Sequence, residues 1–239
     1  MSQQTILTAA VALLATAGLS TPAHAVSVHL EYGGTTVQLD DGDADDQNGT
    51  SGIVEYIEGS AGSGANFSDF ADLVLQGSRC NFCPSQINLG SEVSFGANDA
   101  QSDLVLRVSQ ADFNLDESLA WIGKSDFTSI FSGNVEADYA TFWDPGNTLF
   151  ETANLIHAAT LSGTDSQSFE SIIGSGSSPF SLTVEVLYPE AQLEAATDTL
   201  QADGQLRVAA VPLPATVPLL LAGLGTLGVV ARRRKKNAA

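Results

Sequence analysis

Short runs in which apolar and polar residues alternate are the feature that most limits the fold of this chain. Residues 26–32 and 180–186 alternate in this way. In 104–109, Leu104, Leu106 and Val108 would lie on one face of a strand, and Val105, Arg107 and Ser109 on the other. Because successive side chains of a strand point to opposite sides of a sheet, each run predicts a strand with one face in a core.

Further short runs predict more strands, and clusters of Gly, Asn, Asp and Ser between them predict turns. These runs are 35–39, 53–57, 73–76 and 92–95. Helical periodicity is weak and confined to 189–201, where Leu193, Ala196 and Leu200 would share a face. We therefore expect an all-β ectodomain, an antiparallel β-sandwich of jelly-roll type.

The N-terminal segment has the pattern of a secretory signal peptide. Residues 6–19 are apolar and rich in alanine, and Ala23 and Ala25 supply the small residues of an A-x-A cleavage site. No Lys or Arg occurs in residues 1–5, which departs from the usual pattern. Cleavage after Ala25 would make residues 1–25 the signal peptide and Val26 the mature N-terminus.

The C-terminal segment has the pattern of a short membrane anchor. The fifteen residues 217–231 carry no charge, and Arg232, Arg233, Arg234, Lys235 and Lys236 follow them. As a helix this stretch would be about 22 Å long, shorter than a hydrocarbon core of about 30 Å. The basic stop at 232–236 predicts that its end is cytoplasmic and that the ectodomain, 26–210, lies on the other side.

Before the apolar stretch stand Val211, Pro212, Leu213, Pro214 and Ala215. A proline motif, a short transmembrane helix at 217–231 and a basic stop, in this order, resemble the PEP-CTERM sorting signal in its VPLPA form, here over 211–236. The resemblance implies export by a Gram-negative bacterium and recognition by an exosortase, a membrane-embedded cysteine peptidase. The chain would be held transiently in the inner membrane and then released or transferred to the cell surface. A permanent single-pass anchor is the alternative.

Three patches of the ectodomain resemble a group of uncharacterised PEP-CTERM ectodomains. They are an Asp/Asn-rich turn at 37–49, a middle segment at 143–150 and a late strand at 178–186. The resemblance implies an extracellular β-sandwich with no established activity.

The ectodomain is strongly acidic. Residues 26–210 hold all 28 acidic side chains and only four basic ones, a net charge of −24. Such a surface repels nucleic acid and anionic lipid, and favours cations or neutral glycans as partners. Solubility in a saline habitat explains the same composition without any ligand.

The acidic turn offers a candidate calcium site. Asp41, Asp43 and Asp45 have the alternate spacing that opens an EF-hand loop. Asp46 then stands where that loop needs glycine, and Gly52 where it needs glutamate. Two interpretations of the acidic turn therefore stay open. It is either a looser Ca²⁺ site in a β-turn or a solvated acidic loop without any metal or other cofactor.

Cys80 and Cys83 are the only cysteines. In an exported protein this pair predicts a local disulfide or a strained, reducible loop. A thioredoxin-like redox role would need a βαβ setting that the chain lacks. No G-x-S-x-G, H-E-x-x-H or P-loop motif occurs, so we expect no catalytic residues and no enzyme. Trp121, Trp143 and Tyr139 could stack on sugars or fill the core.

Two functional hypotheses follow. The first is an exosortase-processed surface or extracellular-matrix protein without catalytic activity, associated with exopolysaccharide and biofilm. The second is a secreted carbohydrate-active or Ca²⁺-dependent glycan-binding sandwich.

Overall fold

The computed structural model describes residues 26–57, 67, 69–79, 85–95, 100, 102–132, 135–174, 176–196 and 198–211. Twelve strands and one helix lie within these ranges. They are β1 Ser27–Tyr32, β2 Thr35–Asp40, β3 Ile53–Ile57, β4 Phe70–Arg79, β5 Gln86–Phe95, β6 Leu104–Phe113, β7 Trp121–Ile130, β8 Glu136–Asp144, β9 Leu155–Ser162, β10 Thr164–Gly174, β11 Phe180–Tyr188, α1 Glu190–Ala195 and β12 Leu200–Ala210.

The strands form two six-stranded sheets. The first has the order β2-β1-β6-β11-β8-β9 and the second the order β10-β7-β12-β5-β4-β3. Every pairing is antiparallel. One hydrophobic core takes side chains from both sheets. The prediction of an all-β antiparallel sandwich is therefore confirmed.

The last eight strands pair as nested hairpins. β8 pairs with β9, β7 with β10, β6 with β11 and β5 with β12, and each pair lies in the sheet opposite to the one nested inside it. This wrapping is the connectivity of a jelly roll. β1 and β2 extend the first sheet, and β3 and β4 extend the second.

Alternation in the sequence becomes alternation of burial. In β1, Val28 and Leu30 are buried while Glu31 is exposed. The same pattern fills the core from β6 and β11, where Leu106 and Val184 have no exposed surface. Full burial of a Val or Leu side chain contributes roughly 1.5–3 kcal/mol, so these strands supply much of the driving force for folding.

The weak helical pattern at 189–201 covers two different elements. Only Glu190–Ala195 are helical, and Leu193 is the one buried residue of that helix. Leu200 belongs instead to β12, where it pairs with Val93 of β5. The prediction that Leu193, Ala196 and Leu200 share a helical face was therefore wrong. The helix ends at Ala195, and from Leu200 onward the chain pairs as a strand with β5.

Several predicted features lie outside the described residues. They are the signal peptide 1–25 with Ala23 and Ala25, the cysteines Cys80 and Cys83, and the tail from Pro212 onward, including the helix 217–231 and the basic stop 232–236. Within the described part of the chain, no helix has the length and apolarity that a membrane crossing requires.

Candidate functional site

The outer face of the second sheet carries a shallow depression lined mainly by polar residues. We call it the polar trough and define it by Glu55, Gln76, Gly90, Glu92, Gln201 and Asp203. These residues come from β3, β4, β5 and β12, which are adjacent strands of that sheet. The depression has a volume of about 250 Å³.

Gly90 forms the floor of the polar trough. It pairs with Gln76 of β4 on one side and with Asp203 of β12 on the other. A Cβ atom built at this position would face outward and meet only the carboxylate Oδ1 of Asp203, at 3.2 Å. The missing side chain therefore opens a gap between two polar walls.

A second depression, of about 320 Å³, continues the trough across β12 to β7. Asp203 lines both depressions, and Asn88, Asp126, Thr128 and Gln205 line the second one. The two depressions therefore form one elongated polar surface across the middle of the sheet.

Amide groups beside the trough are held by one another. Gln205 Nε2 donates to Asn88 Oδ1 at 2.9 Å, and Asn88 Nδ2 donates to Ser78 Oγ at 3.2 Å. Gln86 Nε2 also donates to Asn88 Oδ1, at 3.2 Å. These bonds orient the amides before any ligand arrives, which lowers the entropy cost of binding.

Asp203 stands where the two depressions meet. Although the residue as a whole is exposed, the surrounding protein displaces part of the hydration of its carboxyl group and so raises its pKa. A partly desolvated carboxylate is a stronger hydrogen-bond acceptor than one fully in water. Hydroxyl groups of a ligand are suitable donors to it.

The aromatic residues considered for sugar stacking are in or against the core. Trp121 and Tyr139 are buried, with 0% and 1% of their surfaces exposed. Trp143 is half-buried and makes an edge contact with Trp121, with ring centroids 6.0 Å apart. The large exposed apolar side chains of the described residues are aliphatic: Ile130, Leu155 and Ile172. Trp121 and Tyr139 therefore fill the core, as the second of the two predicted roles has it.

The acidic turn is held together by its own backbone. Gly52 N–H donates to Asp41 Oδ2 at 2.6 Å, and Asp40 N–H donates to Asp43 Oδ2 at 2.9 Å. Asp46 Oδ1 accepts from the N–H groups of Asn48 and Glu55. Among the described residues, no three acidic, His or Cys side chains are placed to hold one metal ion. The Ca²⁺ site at Asp41, Asp43 and Asp45 stays a prediction.

Ser125 is buried and hydrogen-bonded to His157, which is only partly buried. Ser125 Oγ lies 2.8 Å from His157 Nδ1 and 2.8 Å from Thr141 Oγ1. Ser125 and Thr141 have no exposed surface, so a substrate cannot reach the hydroxyl group. Burial lowers the pKa of His157, which also stacks on Phe169. This cluster packs the two sheets together at β7, β8 and β9.

His29 is far from His157. The two histidines lie on β1 and β9, which are four strand positions apart in the first sheet, a separation of about 19 Å at the usual strand spacing. Burial, with a contribution from Arg107, lowers the pKa of His29. The two histidines therefore cannot share a metal ion or a proton.

The last strand leads directly into the C-terminal tail. Ala210 of β12 pairs with Trp121 of β7, and Val211 N–H donates to the carbonyl oxygen of Ala120 at 2.7 Å. The first residue after the strand is thus still held by the folded body.

From Ala210 onward the chain matches a family model. Residues 210–235 match the model of the PEP-CTERM protein-sorting motif. The match confirms a PEP-CTERM sorting motif where one was predicted, at 211–236, with bounds that differ by one residue at each end. The VPLPA form stays a prediction. The motif indicates an exported protein that carries a C-terminal sorting signal and is processed by an exosortase.

No curated protein matches the chain. Among solved structures, TmCBM61 in complex with β-1,4-galactotriose is 12% identical, with a TM-score of 0.29, over 52% of this chain and 71% of that one. The mannan-recognising carbohydrate-binding module TmCBM27 is 12% identical, with a TM-score of 0.27, over 52% of this chain and 75% of that one.

The arabinose-bound α-L-arabinofuranosidase MgGH51 is 12% identical, with a TM-score of 0.28, over 56% of this chain and 22% of that one. At such low TM-scores these three likenesses carry no conclusion about ligand or activity.

Sequence reasoning did not find the polar trough. Its members are common polar residues spread over about 150 positions of the chain, and only the pairing of β3, β4, β5 and β12 brings them together. An outward-facing glycine flanked by polar positions in β5 is the one local signal, and it has meaning only once the register is known.

Proposed function

We propose that this chain is an exosortase-processed surface or extracellular-matrix protein without catalytic activity, which associates with exopolysaccharide in a biofilm. The sorting motif that begins where β12 ends is the observation that carries the proposal. In this account Val211 to Ala215 are the VPLPA form of the motif, and the helix 217–231 is a transient anchor in the inner membrane.

Two features support a role without catalysis. The sequence has no G-x-S-x-G, H-E-x-x-H or P-loop motif, and the Ser125 hydroxyl group, which bonds His157, is buried in the core. Turnover of any polysaccharide by the purified protein would overturn this part of the proposal.

Substitution of the motif prolines tests the sorting step. We expect the double variant Pro212→Ala, Pro214→Ala to stay in the membrane fraction with its tail attached, because the peptidase no longer finds the motif. Fractionation of cells and medium followed by immunoblotting measures this. Pro145→Ala, in an exposed loop of the ectodomain, is the matched control and should be released normally. Normal release of the double variant would contradict the proposal.

The second candidate is a glycan-binding sandwich, which the polar trough favours. Its Ca²⁺-dependent form has less support, since no three acidic, His or Cys side chains of the described residues are placed to hold one metal ion. Saturable glycan binding that EDTA reverses would establish the Ca²⁺-dependent form. Binding that EDTA leaves unchanged would assign recognition to protein groups alone.

A further inference from the structure

We propose that the polar trough is a binding site for a neutral polysaccharide rich in hydroxyl groups. The inference rests on the proposed function, because it names the ligand class and the residues through which the exported protein would hold exopolysaccharide. It needs no metal ion.

The shape of the trough fits a polymer better than a compact ligand. Each depression is near or below the lower end of the range of about 300–1,000 Å³ that is usual for small-molecule pockets. The two are joined through Asp203, and both are open to solvent. A linear chain can lie along such a surface and place one unit in each depression.

The chemistry of the lining suits sugar hydroxyl groups. Carboxylates of Glu55, Glu92 and Asp203 only accept hydrogen bonds, whereas the amides of Gln76 and Gln201 both donate and accept. A sugar hydroxyl group also does both, so neighbouring hydroxyl groups can be paired by one carboxylate and one amide. In the second depression, Gln205 keeps its carbonyl oxygen and one N–H group for a ligand, and Asn88 keeps one N–H group.

The charge of the surface selects against anionic polymers. Among the residues that the structure describes, neither Lys nor Arg lines the two depressions, and the ectodomain carries a net charge of −24. Lys124, further along β7, is paired with Glu170. The negative charge of the protein would therefore repel an acidic polysaccharide, whereas it does not weaken the binding of a neutral one.

The outer face of the first sheet provides a matched comparison. It has a depression of about 380 Å³ over Ala140 and Ala158, beside Leu187. Glu185, which lines it, is engaged by the guanidinium group of Arg107. Asp138, which also lines it, accepts a hydrogen bond from Thr160 Oγ1. This depression is therefore somewhat larger than either part of the trough, and its two carboxylates are already engaged by protein groups.

Affinity electrophoresis of the full chain, purified in mild detergent, tests the proposal. The gels contain dextran, galactan, mannan or laminarin as neutral probes, alginate as an anionic probe and chitosan as a cationic one. We expect retardation by at least one neutral probe and none by alginate. Failure of all four neutral probes, or retardation by chitosan alone, would overturn the inference.

Filling the trough gives the decisive variant. Gly90→Leu covers the floor, and we expect it to weaken retention about tenfold or more, because the polar walls can no longer reach the polymer. Ala140→Leu fills the comparison depression and should leave retention unchanged. Equal melting temperatures would show that both variants are folded. Unchanged retention of Gly90→Leu would overturn the site.

Asp203→Asn tests recognition without a change of shape. We expect a loss of severalfold, since the amide replaces a pure acceptor where the two depressions meet. Retention equal to that of the unaltered chain would contradict the role of the carboxylate. Neither result depends on processing of the tail, so failure of the site and failure of the sorting proposal are separable.

Discussion

Two glycines on neighbouring strands, Gly77 and Gly90, have different structural roles. A Cβ atom at Gly77 of β4 would lie 2.8–3.0 Å from methyl groups of Val28, Val108 and Val26, inside the core. At Gly90 of β5 it would face the open trough. One glycine lets the two sheets approach closely, and the other opens a surface depression.

Alanine substitution separates these roles. We expect Gly77→Ala to lower the free energy of unfolding by about 1–3 kcal/mol, because the core is already filled. Gly90→Ala should leave stability unchanged or raise it by up to about 1 kcal/mol, since it restricts the unfolded chain. Chemical unfolding of the two variants measures this. A larger loss for Gly90→Ala than for Gly77→Ala would refute the assigned faces.

His157 gives the fold a pH dependence. Burial lowers its pKa below the ordinary value of 6.5, so it stays neutral in the folded state at pH values where the unfolded chain is protonated. Protons therefore favour the unfolded state, and the stability present above pH 6.5 falls as the pH drops towards the lowered pKa. His29, whose pKa is also lowered, acts in the same direction.

His157→Asn removes one of these two contributions. Asparagine can keep a hydrogen bond to Ser125 but does not titrate, so we expect a smaller loss of unfolding free energy between about pH 7 and pH 5. Unfolding curves at several pH values, compared with those of the unaltered chain, measure the difference. Identical pH dependence of the two proteins would contradict the lowered pKa of His157.

At the scale of elements, strands were predictable where large apolar residues mark the inner face. The run at 53–57 matches β3 residue for residue, and the run at 35–39 falls one residue short of β2. β7 was missed because Gly123, Ser125 and Ser129 occupy inward positions, which hides the alternation. β10 was missed because none of its side chains is buried, as is usual for an edge strand.

The candidate site was less predictable than the fold. The acidic turn is a local pattern, and the sequence alone singled it out. The trough depends on pairings between distant strands, such as Gly90 with Asp203. Hydropathy does not determine which partner a strand takes, so a site on the polar face of a sheet is hidden until the register is known.

The end of β12 links the fold to sorting. On the side of β5, pairing reaches Arg207 opposite Gln86, and Val208 N–H donates to the carbonyl oxygen of Ser85. On the side of β7, pairing continues to Ala210, with a further bond at Val211. A peptidase that cuts within 211–215 would therefore leave every strand of the sandwich complete.

At the scale of the whole molecule, the proposed function gives the sorting motif and the sandwich complementary roles. The motif at 210–235 directs the chain, while the acidic body with its polar trough is the part that would remain outside the cell. The body carries only four basic side chains. Under the proposed function, its attachment would therefore rely on hydrogen bonding to neutral polymers.

Intact-mass analysis of the native protein tests the central claim most directly. The protein is taken from culture medium and cell envelope, in cells with and without the exosortase. We predict a species that begins at Val26 and ends within 211–215, and that disappears when the peptidase is absent. A species that keeps residues 217–239 in both strains would contradict the account and make the chain a permanently anchored ectodomain.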